Sequence, residues 1–432
     1  MTLTNTLMKI NLFAAICLLL PFSTFAIEKI ILLNEGGWQQ DNGRITYFED
    51  GKIISNKWFR DVNGSKLGDT PNDIIQINDN LIAISVNWSN IVQFINPQGK
   101  AVAATEDVPN NRALATDGNY VYLSSFGHEC GTVNGLREFT KGFVAKIDIR
   151  TFKVVDAVEV GYEPEGIAYY KGKLFVANTG GYAFQENHEY EQTIDVIDAA
   201  TMKKVRSIDT KQINLCGKMS QSGRFLCVSS PGDHYEVPAA TVIVDCEAAI
   251  SNRPDSECFV LLEYAATNSC TTTDGKFFAI GSRYSYYTDS YEFNYITIDP
   301  VEVMKSQGSA GVYESMPGTL ISDLKSFSMP YGIYVNPYTG YIYATDAGAF
   351  TSKGQLYQWS PKGEFIGKHK VYVNPSHFLA LPPDGHFSGI TAPEIETEES
   401  NDAPVYNLQG IRVTNLIPGN LYISKGRKFI YR

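Results

Sequence analysis

The chain has 432 residues, a formal net charge of −11 and 44% hydrophobic residues. This acidic balance argues against nucleic acid and anionic membrane surfaces as partners, because both repel negative charge. The 26 Tyr and 23 Phe residues favour a β-rich protein with aromatic loops.

Residues 1–26 have the pattern of a secretory signal peptide. Lys9 precedes an apolar run over residues 10–20, and Ser23 to Ala26 supply the small residues of a cleavage site. The apolar run is too short to span a membrane comfortably. Cys17 lies inside this run without a lipobox before it. We therefore expect an exported, non-lipidated protein, located in the cell envelope or outside the cell.

Short apolar runs separated by tight turns recur along residues 30–382. The clearest copy covers residues 161–210, where Lys171-Gly172 and Ala200-Thr201 mark turns between four runs. Four short strands joined in this way are the unit of a β-propeller blade. Further copies occupy residues 72–105, 111–160, 213–263, 266–324 and 329–370.

Two incomplete pieces remain, at opposite ends of the repeats. Residues 30–57 supply three strands without an innermost strand, and residues 375–382 supply a lone innermost strand. Together they complete a seventh blade and close the ring, which removes exposed strand edges. The predicted fold class is all-β, a seven-bladed β-propeller over residues 27–382 that is closed by its N- and C-terminal strands.

The chain changes character after the last repeat. Residues 383–404 are polar, acidic and Pro-containing, as in a flexible linker. Residues 405–432 predict two or three short strands with turns at Gly410, Gly419 and Gly426, too few for an independent domain. This β tail is expected either to serve as a sorting element or to dock on the propeller.

Six cysteines remain after the signal peptide, an even number in an oxidising compartment. Cys246 and Cys258 are expected on neighbouring third and fourth strands of one blade, so they are the predicted disulfide. The partners of the other four stay open. None of the six has the C-x-x-C spacing of a zinc site.

The loops between second and third strands are long and aromatic, whereas turns on the other face, such as Asp117-Gly118 and Asp274-Gly275, are tight. Long loops on a rigid scaffold are where ligands are expected to bind. Aromatic rings with a few polar groups suit a large, flat, amphipathic ligand. The candidate ligand-binding residues are Trp38, Asn87, Trp88, Phe126, His128, Tyr182, Phe184, His234, Tyr235, Tyr284, Tyr286, Tyr287, Tyr331 and Phe350.

Catalytic and metal-binding signals are weak by comparison. His128, His188 and His234 fall singly on different loops, so no metal site is predicted. Glu163 and Glu165 start an innermost strand, where structural hydrogen bonds are expected in preference to cation binding. No catalytic or nucleotide-binding fingerprint occurs, so we predict no catalytic residue and no cofactor.

Three stretches carry a resemblance to a known family. They are G-Y-E-P-E-G-I-A-Y-Y-K-G-K-L-F-V-A-N, P-N-D-I-I-Q-I-N-D-N-L-I-A-I-S-V-N-W and P-Y-G-I-Y-V-N-P-Y-T-G-Y-I-Y-A-T-D-A. Residues 30–381 resemble the YncE-like seven-bladed propellers of Bacteroidetes, and among these the surface vitamin B12-binding propellers. The tail, with Y-N-L-Q-G and G-N-L-Y-I-S-K-G-R-K, resembles a short type IX sorting module.

The resemblance implies a monomeric, non-enzymatic protein that captures a corrinoid such as cobalamin, or another large amphipathic molecule, for an outer-membrane transporter. This chain departs from the pattern of the B12-binding propellers in two features, the missing lipobox and the added tail. One alternative is an envelope scaffold for protein partners, which would show a continuous exposed apolar patch. Another is a propeller hydrolase or oxidoreductase, which would need Glu, Asn, Asp and His side chains converging on the axis.

Overall fold

The computed structural model describes residues 28–285, 290–383, 385–387, 405–406, 412–413, 416, 421–424 and 427–430. The predicted signal peptide, Tyr286, Tyr287 and most of the predicted linker lie outside these residues. Strands make up 49% of the structure and helices 8%. Within the described residues, no helix has the length and apolarity needed to cross a bilayer.

Seven four-stranded antiparallel sheets form the blades of a ring, as the repeats predict. Blade 1 contains β1 (Lys29–Asn34), β2 (Arg44–Glu49), β3 (Lys52–Ser55) and the late strand β30; blade 2 contains β4 (Pro71–Asn78), β5 (Leu81–Val86), β6 (Ile91–Ile95) and β7 (Ala101–Thr105). Blade 3 contains β8 (Asn111–Thr116), β9 (Tyr120–Ser125), β12 (Phe143–Asp148) and β13 (Lys153–Glu159), with a hairpin of β10 (Glu129–Val133) and β11 (Leu136–Phe139) in its long loop.

The remaining blades follow in chain order. Blade 4 contains β14 (Pro164–Tyr170), β15 (Lys173–Asn178), β16 (Thr193–Asp198) and β17 (Lys203–Asp209); blade 5 contains β18 (Cys216–Ser222), β19 (Phe225–Ser230), β20 (Ala240–Asp245) and β21 (Phe259–Leu262). Blade 6 contains β22 (Asn268–Thr271), β23 (Phe277–Ser285), β24 (Ser290–Ile298) and β25 (Val312–Tyr313); blade 7 contains β26 (Pro330–Val335), β27 (Ile342–Asp346), β28 (Gln355–Trp359) and β29 (Phe365–Lys370), after which β30 (Pro375–Leu381) closes the ring.

The two ends of the propeller sequence meet in blade 1, which confirms the predicted closure. Its strand order is β3-β2-β1-β30, with Ile31 of β1 opposite Leu379 of β30. Glu28, just before β1, accepts hydrogen bonds from Asn336 (2.9 Å) and Gln358 (3.2 Å) in blade 7. Backbone pairing and a buried carboxylate therefore both hold the start of the propeller in place.

The hydrophobic core is divided among the contacts between neighbouring blades. One buried apolar cluster lies at each of the seven blade interfaces, including the interface of blades 7 and 1. A strand such as Leu81–Val86 is buried at every position because both faces of its sheet pack against a neighbour. A blade cannot bury both faces alone, so the ring must close.

Five short helices interrupt the repeats: α1 (Trp58–Asn63), α2 (Cys246–Ile250), α3 (Asp255–Cys258), α4 (Pro300–Ser306) and α5 (Leu320–Leu324). Two of them begin at an Asp N-cap directly after a third strand. Asp245 accepts hydrogen bonds from Glu247 N and Ala248 N at the start of α2. Asp299 accepts hydrogen bonds from Val301 N and Glu302 N at the start of α4. In blades 5 and 6 the chain therefore passes through a helix before the fourth strand.

This helical connection overturns the predicted disulfide between Cys246 and Cys258. Cys246 is the first residue of α2 and Cys258 the last of α3, and both are free thiols buried in the core between blades 4 and 5. The Cys258 thiol donates to the carbonyl of Pro254 at 3.3 Å. Burial raises the pKa of both thiols. These cysteines act as small apolar core residues.

The described part of the C-terminal tail forms its own four-stranded sheet. Its strands are β31 (Val405–Tyr406), β32 (Arg412–Val413), β33 (Leu421–Ser424) and β34 (Arg427–Ile430), in the order β32-β31-β33-β34. The sequence predicted two or three strands here. The fourth arises because β33 and β34 are two separate strands that pair antiparallel.

Candidate ligand-binding face and channel

The topology places the connections from second to third strands on one side of the ring, here called the loop face. The helical connections between third and fourth strands of blades 5 and 6 lie on the opposite side. In every blade the innermost strand begins at this face, and so does the connection from the second to the third strand. The innermost strand then ends in a tight turn at the opposite face, as β14 does at Lys171-Gly172. Residues at the starts of the seven innermost strands therefore surround one mouth of the central channel.

Large aromatic side chains are exposed mainly on the loop face. Trp38 is 64% exposed, Phe184 69% and Tyr235 71%. The other exposed aromatic residues of these loops are Trp88, Tyr182, Tyr291 and Phe350. Among the described residues, exposed large aromatics outside these loops are limited to Tyr313 and Phe365 on outermost strands. Such a concentration of exposed rings on one face is where a binding surface is expected.

These aromatic residues form separate groups around the ring. Trp38 of blade 1 and Trp88 of blade 2 meet edge to face with ring centroids 5.1 Å apart. Tyr182 of blade 4 has its ring 6.4 Å from Phe126 of blade 3. On other blades, Tyr331 lies 5.7 Å from Phe350, and Tyr284 lies 5.2 Å from Tyr291. Groups that join adjacent blades present ring faces and edges at fixed positions.

Among the other candidate residues, Asn87 and Phe126 make contacts within the propeller. Asn87 is buried and donates to the carbonyl of Asn111 at 2.8 Å, which ties blade 2 to blade 3. Phe126 lies under the Arg112 guanidinium, 4.7 Å from its ring centroid. His128 is exposed, and His234 lies in the loop between β19 and β20.

A polar cavity of about 400 Å³ occupies the channel mouth on the loop face. Its wall comes from the first residues of the innermost strands, including Asp73, Arg112, Glu165, Lys218, Asn268, Tyr331 and His377, together with Glu35 and Phe350. Of the candidate ligand-binding residues, Tyr331 and Phe350 lie in this wall, and Glu165 was expected at the start of an innermost strand, whereas Arg112 and Lys218 were missed. The signal for them was weak, because Arg112 is the second residue of β8 and Lys218 the third residue of β18, so the two do not share one position of the repeat.

An ion pair between Arg112 and Glu165 dominates one side of this mouth. Arg112 Nε donates to Glu165 Oε1 at 3.0 Å, and Glu165 Oε2 accepts from Cys216 Sγ and Gly217 N, both at 3.0 Å. Burial alone would raise the pKa of Glu165, but Arg112 and these donors lower it to about 2. The carboxylate stays ionised and fixed, and is no longer available as a general base.

The other charged side chains of the mouth are paired as well. Lys218 Nζ lies 2.6 Å from Asp73, and the Tyr331 hydroxyl donates to Glu35 Oε2 at 2.9 Å. Burial raises the pKa of Glu35 and lowers that of His377 to about 4. His377 is therefore neutral near pH 7. The mouth combines fixed charges with neutral donors, which suits recognition of polar groups on a ligand.

A second cavity, of about 470 Å³, occupies the opposite end of the channel. Its wall comes from the later halves of the innermost strands, with Ile75, Leu114, Ile167 and Ile333 among its residues. Lys218 and His377 border both cavities, together with Asn268 and Ser376. These four residues therefore lie where the two cavities adjoin.

One prediction about the histidines is wrong. His188 is not isolated, because its ring lies beside the carboxylates of Glu163 and Glu186. Glu186 occurs in the same loop, and Glu163 precedes β14. The sequence could not show this grouping, since it depends on how the loop of residues 179–192 folds back on the start of blade 4.

No family model matches the sequence, and no curated protein matches it significantly. Among solved structures, the chain is similar to the hydrazine synthase of Kuenenia stuttgartiensis, with a TM-score of 0.52 and 16% identity over 73% of this chain and 93% of that one. A putative 6-phosphogluconolactonase of Bacteroides fragilis gives a TM-score of 0.49 and 12% identity over 83% and 99%. At such identities the similarity concerns the fold alone.

Proposed function

We propose that the protein is a non-enzymatic binding protein that captures a corrinoid such as cobalamin on its loop face and delivers it to an outer-membrane transporter. The observation that carries this proposal is the set of exposed aromatic residues around a polar channel mouth. The family resemblance of the blade motifs supplies the ligand class.

The chemistry of a corrinoid fits this surface. It has a wide, flat, largely apolar ring whose edges bear amide groups. The faces of Trp38, Trp88 and Tyr182 complement the ring, and the paired charges at the mouth offer donors and acceptors for amides. A cavity of about 400 Å³ admits only part of such a ligand, so the rest would spread across the aromatic loops.

The grouping of the aromatic residues supports this proposal over a protein-interaction scaffold. A scaffold would favour one continuous apolar patch, whereas the exposed aromatic rings here surround the charged channel mouth. The charge pairing also disfavours an enzyme. Glu165 is held by Arg112, Asp73 by Lys218 and Glu35 by Tyr331, so each acid already has a structural partner.

Isothermal titration of the purified protein with cyanocobalamin tests the proposal. One-to-one binding is expected, and Trp88→Ala or Trp38→Ala should weaken it roughly tenfold, because each removes a ring that contacts the ligand. Phe365→Ala is the matched control, since Phe365 is an exposed aromatic residue on outermost strand β29. It should bind like the unmodified protein.

Two results would contradict the proposal. One is the absence of saturable heat together with an unchanged melting temperature at high cyanocobalamin concentration. The other is binding that Phe365→Ala weakens as much as Trp88→Ala does, because that would place the ligand away from the loop face.

A further inference from the structure

Three side chains with metal-binding atoms converge on the loop face of blade 4. The side chains of Glu163, Glu186 and His188 are 3%, 2% and 1% exposed. One ligand atom from each lies within 4.8 Å of the other two. The group belongs neither to the channel mouth nor to the exposed aromatic surface.

The distances suit a small ion with little rearrangement. His188 Nε2 lies 3.3 Å from Glu186 Oε2 and 3.8 Å from Glu163 Oε2. In a tetrahedral site with bonds of about 2.0 Å, neighbouring donor atoms are about 3.3 Å apart. Shifts of at most about 0.5 Å would bring His188 Nε2 to that spacing from each carboxylate oxygen.

The orientation of the histidine suits a metal ligand. Its Nδ1 lies 3.2 Å from the carbonyl oxygen of Glu189, which can only accept a hydrogen bond. Nε2 is therefore the ring nitrogen left to bind a metal, and it faces the carboxyl groups of Glu163 and Glu186. Metal-binding histidines are oriented by the same backbone hydrogen bond. The ring also stacks on Tyr162, with centroids 4.5 Å apart.

The local charge favours a cation as well. Arg137 Nη2 pairs with Glu186 Oε1 at 2.8 Å, while Glu163 accepts a hydrogen bond from Tyr182 N at 2.7 Å. Within the described part of the chain, no lysine or arginine forms an ion pair with Glu163. A bound cation would supply the counter-charge that the described basic side chains do not give Glu163.

We propose that Glu163, Glu186 and His188 bind a divalent transition-metal ion. One imidazole and two carboxylates match Zn²⁺ or Mn²⁺ better than Ca²⁺, which prefers oxygen donors alone. The ion would join the residue before β14 to the loop that carries Tyr182 and Phe184, and so fix two exposed aromatic residues of the loop face. The inference does not depend on corrinoid binding.

Calorimetric titration of metal-free, tag-free protein with Zn²⁺ tests this site. One equivalent should bind and raise the melting temperature, because an ion that binds the folded state stabilises it. His188→Ala and Glu186→Gln should each weaken binding at least about 100-fold, since each removes a direct ligand. His128→Ala, which removes an exposed histidine of the neighbouring blade, should have no effect.

Titration of the unmodified protein with Co²⁺ keeps the test decisive if a variant fails to fold. Saturable visible absorption at one equivalent, displaced by Zn²⁺, is expected for this mixed oxygen and nitrogen donor set. Absence of saturable binding of Zn²⁺, Mn²⁺ and Co²⁺ would overturn the proposal. Binding that folded His188→Ala retains would also overturn it.

Discussion

The two ends of the channel are built by the same seven innermost strands, yet they differ in chemistry. At the loop face the strand starts carry Asp73, Arg112 and Glu165, and exposed aromatic residues surround them. At the opposite end Lys218 is the charged side chain of the described wall near neutral pH, and it also borders the first cavity. The repeat fixes the scaffold, whereas strand starts and long loops are free to specialise.

The ion pair at the loop-face mouth gives the largest expected effect. Arg112→Ala leaves Glu165 charged, buried and without its partner, which should reduce the free energy of unfolding by about 3–5 kcal/mol. Thr273→Ala, at an exposed position of the opposite end, should change it by about 0.5 kcal/mol or less. Urea unfolding monitored by fluorescence measures both variants.

The double variant Arg112→Met, Glu165→Met provides the control for this prediction. Removing both charges should restore most of the lost stability. Equal destabilisation by Arg112→Ala and by the double variant would show that packing, and not the unpaired charge, causes the loss.

Substitutions at the two ends of the channel should differ roughly tenfold in their effect on the affinity for cyanocobalamin. Tyr182→Ala removes an exposed ring of the loop face and should weaken cyanocobalamin binding about tenfold. Thr273→Trp adds bulk at the opposite end and should leave the affinity unchanged. Calorimetric titration of the two variants side by side measures this difference. A loss of affinity in Thr273→Trp alone would move the site to the other end of the channel.

The smallest expected effect concerns pH. Burial holds the pKa of His377 at about 4, below the ordinary value of 6.5, so the unfolded chain binds this proton more readily. Stability from this group is present above pH 6.5 and falls as the pH decreases toward 4. Relative to His377→Gln, the unmodified protein should lose melting temperature over this range.

The charged groups around His377 influence its pKa in the folded protein and therefore the size of this loss of melting temperature. Asp73 and Glu165 favour its protonation, whereas Lys218 and Arg112 oppose it. Thr271→Val, in the wall of the opposite end, should show a melting-temperature difference that is independent of pH. A constant difference between His377→Gln and the unmodified protein from pH 7.5 to pH 4.5 would contradict the prediction.

The fold could be predicted because each blade gives a recognisable local pattern in the sequence. Apolar runs separated by turns such as Lys171-Gly172 recur in each repeat, and the two incomplete pieces reveal how the ring closes. The hairpin within the long loop of blade 3 was missed, although Asn134-Gly135 has positive φ at both residues and is a strong signal for a turn.

The polar parts of the site depend on contacts between distant residues, which local patterns do not encode. The Tyr331–Glu35 hydrogen bond spans 296 positions and the Lys218–Asp73 pair spans 145. The group of Glu163, Glu186 and His188 depends on the fold of one loop. The disulfide prediction failed for a related reason, because the Asp245 cap turns the chain into a helix where a hairpin was expected.

Hydrogen–deuterium exchange with and without cyanocobalamin tests corrinoid binding on the loop face, because it locates a bound ligand on the protein. We predict slower exchange in residues 36–42, 87–90 and 180–192 of the loop face, with no change in the tight turns at residues 117–118, 171–172 and 274–275. Protection confined to those turns, or no protection at saturating ligand, would contradict it.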